Sequence, residues 1–118
     1  MAAPNIANPT TIIGKTAVLA VTTSATNILS NSAGSNKVFR VNALYISNID
    51  GTNNADITAV IRRSSVDYAI ASTITVPADA TLEIIGPRAI YLEEGDDLRL
   101  TANANSDLVA VCSYEDIS

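Results

Sequence analysis

The sequence predicts an all-β fold, an antiparallel β-sandwich or jelly-roll-like single domain with an extended N-terminal arm. Three observations lead there. The 118 residues suffice for one domain with one core and are too few for two. Alanine, threonine, serine, asparagine, valine and isoleucine dominate, a mixture that suits strands and turns more than helices. Short apolar runs with a period of two follow one another between polar turns, and helical periodicity is almost absent. The connections are too short for parallel crossovers, so neighbouring strands are expected to run antiparallel.

Residues 1–15 differ from the rest. Pro4 and Pro9, with two asparagines between them and "TTIIGK" after, read as an extended arm rather than a packed element. Free termini fray unless tied down, so the arm is expected to dock on its own domain or on a neighbouring subunit. The sandwich then takes residues 16–118. "TAVLAVTT" (16–23) sets Val18 and Ala20 against Ala17, Leu19 and Val21, and "ATNILS" (25–30) is a weaker strand. "KVFRVNALYIS" (37–47) is the strongest. There Phe39 and Val41 share one face, and the apolar parity then switches to Leu44 and Ile46, which predicts a β-bulge.

"NIDGTNNAD" (48–56) is a loop with Asp50-Gly51 as its turn residues. "DITAVIRR" (56–63) places Ile57, Ala59 and Ile61 on one face. "VDYAIASTITV" (66–76) keeps Val66, Tyr68, Ile70, Ile74 and Val76 on a single face until Pro77 ends it. "TLEII" (81–85), "AIYL" (89–92), "DLRLTA" (97–102) and "DLVAVCSYE" (107–115) complete the set. The core is expected to be small and aliphatic, because Phe39, Tyr45, Tyr68, Tyr91 and Tyr114 are the only aromatics.

Composition excludes several functions. The net charge is −5, and of seven cations only Arg62 and Arg63 are adjacent. Neutralising phosphates takes clustered Lys and Arg, so nucleic acid and anionic lipid are not expected partners. No run approaches the ~20 apolar residues that span a bilayer, and the opening residues lack the features of a secretory signal. The chain is expected to be made and kept in a cytoplasm, or to leave it by a route that needs no signal. The single cysteine, Cys112, rules out an internal disulfide and a cysteine-built zinc site, and its strand context reads as a buried thiol.

Catalytic motifs fail on inspection. "IIGKT" (12–16) ends like a phosphate-binding loop, but the glycine that must precede it is Pro9. The chain has no histidine, which removes the commonest general base and disables Ser-His-Asp and Cys-His schemes. Two carboxylates could hydrolyse glycosides, but such sites need aromatic platforms that are scarce here. No enzyme activity, small-molecule substrate or cofactor is expected, and no metal. "LEEGDDL" gathers Glu93, Glu94, Asp96 and Asp97 around Gly95. Adjacent side chains on extended backbone point in opposite directions, which does not converge on calcium. A solvated turn, with a possible role in partner contact, is the expectation.

The stretches "KVFRVNALYISNIDG", "TVPADATLEII" and "IYLEEGDDLRLTANANSDLVAVCSYEDI", with the opening "MAAPNIANPTTIIGKTA", resemble small virion proteins of tailed bacteriophages, particularly of cyanophage and marine groups. The resemblance implies a structural role in the virion: a β-sandwich that decorates and cements the outer capsid surface, with the major capsid protein as partner. The alternatives are a neck, tail or fibre-base component, and a module for attachment to host glycan or calcium. A three-fold lattice position would suit a homotrimer. The expected contact residues are Ile6, Ile12 and Ile13 of the arm, and Glu93, Glu94, Asp96 and Asp97 of the acidic turn, facing a basic capsid surface.

Overall fold

A computed structural model describes residues 4–118, so the first three residues of the expected arm lie outside it. Nine strands form among the described residues: β1 (Ile12–Ala20), β2 (Thr26–Ser30), β3 (Val38–Asn48), β4 (Ala55–Arg63), β5 (Val66–Val76), β6 (Thr81–Ile85), β7 (Ile90–Leu92), β8 (Asp97–Ala102) and β9 (Leu108–Ile117). All pairings are antiparallel. One sheet runs β1-β9-β3-β6, with β7 also paired to β3, and the other runs β2-β8-β4-β5.

These pairings have a simple origin. The chain doubles back at Ser64-Ser65, between β4 and β5, and each earlier strand meets its counterpart on the return. β4 pairs β5, β3 pairs β6 and β7, β2 pairs β8, and β1 pairs β9. Rolling that long hairpin into two facing sheets is the jelly-roll arrangement. The two-residue turn at its tip has both residues at positive φ, 52° at Ser64 and 63° at Ser65. That is the type I′ geometry that matches strand twist, reached here without glycine.

The core lies between the sheets and is aliphatic, as the composition requires. Val41, Leu44, Ile46, Ile57, Ala59, Leu92, Leu98, Leu100, Leu108 and Cys112 are all fully buried. The bulge expected in β3 is present: its register on β9 shifts between Val41 and Ala43, which turns Leu44 and Ile46 inward after Val41. Two buried asparagines anchor the loops at opposite ends. Asn31 Nδ2 donates to Lys37 O at 2.9 Å and Leu92 O at 3.0 Å, while Asn48 Nδ2 donates to Asn53 O and Val76 O, both at 2.9 Å.

Two expectations need correction. The first strand begins at Ile12 rather than Thr16, because Ile12–Lys15 continue the β9 ladder from Ile117 to Tyr114. The arm is therefore shorter than residues 1–15, and its end is tied in cis: Thr11 and Ser118 exchange both backbone hydrogen bonds at 2.9 Å. β5 does keep its apolar residues on one face, since Tyr68 pairs with Ile61 and Ile74 with Ile57. Much of that face is nevertheless uncovered, with Val66, Tyr68 and Ile74 exposed. The cause is length: β5 has eleven residues, and the edge strand β6 that faces it has five.

Candidate interaction surface

The acidic turn is less free than expected. Asp96 is 1% exposed and is held by five hydrogen bonds. Arg63 Nε donates to Asp96 Oδ1 at 2.7 Å, and Arg63 Nη2 to Oδ2 at 2.6 Å. The Glu93 N–H also donates to Oδ2, at 2.8 Å, and the Asp96 N–H donates to Glu93 O at 3.0 Å. Arg63 Nη2 further reaches Glu93 Oε2 at 2.8 Å. The turn is fixed to the β2–β3 loop as well, because Gly95 N–H donates to Asn31 O and Asn31 N–H to Asp96 O. Gly95 sits at φ 89°, a conformation that suits glycine. Arg63 stands on the inward parity of β4, at the end of the central hairpin, and so ties that hairpin to the β7–β8 turn.

This geometry sets the electrostatics. Burial works to raise the Asp96 pKa, but the Arg63 bonds and the Glu93 N–H together hold it below the usual aspartate value. A second inward carboxylate behaves similarly. Asp116 is buried, which works to raise its pKa, and Lys15 at 2.9 Å and Lys37 at 3.3 Å bring the net shift below the ordinary range. Burial pushes the Cys112 thiol up to about 12, so it is an inert core group.

Asp96 is thus a structural group and is removed from the expected contact set, since a buried carboxylate paired to arginine has no face for a partner. Asp97 accepts a hydrogen bond from Ser30 Oγ. Glu94 makes no side-chain hydrogen bond among the described residues and is half-buried. Among the described residues there is no group of three or more histidine, cysteine, aspartate or glutamate side chains suited to a metal ion. Among the described residues, no helix is long and apolar enough to cross a membrane.

The expected arm contacts fare differently. Ile6, Ile12 and Ile13 are all about half exposed, at 51%, 53% and 48%. Ile6 and Glu93 are brought together: with Pro4, Val38 and Tyr91 they line a groove of about 330 Å³. Ile12 lies in register with Ile117 and, across it, Val38, so it borders the same end of the outer sheet face.

Sequence reasoning missed the rest of this face. Val18, Val111 and Tyr45 are in register across β1, β9 and β3 on the outer side. They are 73%, 38% and 39% exposed. A shallow groove lined by Val18 to Ala20 and Val109 to Val111 runs beside them. The signal was in "TAVLAV", which is apolar at both parities: a strand with one wet face would alternate. The Arg63–Asp96 pair had no comparable signal, because only the doubled-back topology brings the two together. No protein-family model and no curated protein matches the chain.

Proposed function

We propose that this chain is a non-enzymatic structural protein of a phage virion, a decoration or cement protein on the outer surface of the head. Its partners on this reading are the major capsid protein and copies of itself. The observation that carries it is exposed apolar surface in two patches on the outer sheet face, the Ile6 groove with Ile12 and the Val18–Val111–Tyr45 row with Val18 73% exposed, separated by the Arg40–Glu115 pair. Exposed apolar patches of this kind mark protein–protein contact. The resemblance of the strand-and-turn pattern to small virion proteins supports the setting.

A cement protein needs only modest contact per copy, because many copies and several contacts per oligomer multiply the effect through effective concentration. On this reading the contact is more apolar than acidic, because Asp96 is buried against Arg63 and Glu93 lies beside Ile6 in the groove. Heads assembled without this protein are expected to be intact but less resistant to heat and osmotic shock. Heads of unchanged resistance would sink the reading.

A further inference from the structure

We infer that β1 is a self-association edge, pairing antiparallel with β1 of a second copy about a two-fold axis at Thr16, so that the two outer sheets join into one. The sheet edges differ in how they are protected. Edge strands expose unpaired backbone groups, and proteins blunt them by shortness, bulges or charge. β2, β6 and β7 are five, five and three residues long. β5 is long but breaks register twice against β4 and holds Thr73 at φ 49°. β1 alone is both long and regular, with nine residues in unbroken register on β9 and nothing paired to its outer side among the described residues.

The free backbone groups can be assigned. Thr11 and Ser118 exchange both hydrogen bonds at one end of the ladder, and Val21 N–H donates to Leu108 O at the other. Bonded and non-bonded pairs alternate in an antiparallel ladder. Ile13, Lys15, Ala17 and Leu19 therefore turn their amides and carbonyls to β9, while Ile12, Gly14, Thr16, Val18 and Ala20 turn theirs outward. Pairing Thr16 with its own copy sets Gly14 against Val18 and Ile12 against Ala20, so all of the open residues find partners of the right phase. Nothing lies within 4 Å of where a Cβ at Gly14 would stand, which leaves room for the opposing Val18.

Charge selects the occupant and the register. The protein carries a net charge of −5, so copies repel over most of their surface. The only ionisable side chain on β1 is Lys15, which is paired to Asp116 at 2.9 Å. The edge is a neutral strip on an acidic molecule, which favours a like copy over a basic partner. Shifting the two-fold to Lys15 would oppose two lysines, and shifting it to Ala17 would shorten the overlap. The strip is about 30 Å long, less surface than the ~800 Å² per partner of a standard interface, so the pair is expected to be reversible, with Kd on the order of micromolar.

The inference does not rest on the capsid reading, and its test uses the purified full chain alone. Sedimentation velocity over a range of concentrations should show a monomer–dimer equilibrium. Thr16→Asp and Thr16→Lys each place like charges across the axis at an exposed position and should abolish the dimer with unchanged circular dichroism and melting. Mixing the two variants should restore a dimer, with one copy of each. A wild type that stays monomeric, a trimer that ignores both substitutions, or variants that fail to recover on mixing would overturn the proposal.

Discussion

Asp96 and Glu94 stand two residues apart in one acidic turn and are expected to behave oppositely. Removing a buried carboxylate strands Arg63 and the Glu93 N–H, so Asp96→Ala should cost about 2–4 kcal/mol by chemical denaturation. Glu94→Ala should stay within about 0.5 kcal/mol. Equal effects would mean the lock is not what holds the turn. The pH dependence follows from the sign of the shifts. Asp96 and Asp116 both have folded pKa values below the ordinary 3.8. Each therefore contributes stability that is complete above that value and is lost as pH falls through the lower folded one. The stability difference between wild type and Asp96→Asn should persist from neutral pH to about pH 5 and shrink progressively as pH falls below 3.8; a difference that stays flat into acid would contradict the assignment. At this scale the sequence was a partial guide. The buried Cys112 was legible from its strand context. The fate of Asp96 was not, because its partner Arg63 lies on a different strand and meets it only through the fold.

Among the elements, the turn between β4 and β5 carries a testable strain. Ser64 and Ser65 both occupy the left-handed region, where a side chain costs roughly 1–2 kcal/mol relative to its preferred conformations. Replacing them with Asn-Gly, the residues favoured in type I′ turns, should stabilise the protein by about 1 kcal/mol and raise Tm by about 4 °C. A lower Tm would argue against this turn geometry. Period-two patterning located the strands well: residues 66–76, 81–85 and 97–102 match β5, β6 and β8 end to end, and the β3 bulge was readable from its parity switch. Patterning failed where burial depends on a neighbour's length. The apolar face of β5 is real, but no strand long enough covers it. Ile12–Lys15 looked like an arm because proline and asparagine precede them, while their partner strand lies at the other end of the chain.

For the molecule as a whole, the doubled-back chain brings both ends to one side of the sandwich, with Thr10 and Thr11 bonded to Ser118. The result is elongated, with extents of 48 × 26 × 19 Å, and its apolar edge and outer face run along one sheet. A shape of this kind can lie across a boundary between larger subunits, which is what a cementing role asks of it. The all-β class was legible from composition and spacing. Which surface would be left apolar was not, because that depends on which strand ends each sheet. The most direct measurement is to add the purified protein to phage heads assembled without it, and to count the copies bound while following heat resistance. The account predicts saturable binding of hundreds of copies per head, as an order of magnitude set by repeated lattice sites, together with increased resistance. No binding to heads, or only about a dozen copies at a single vertex, would contradict it.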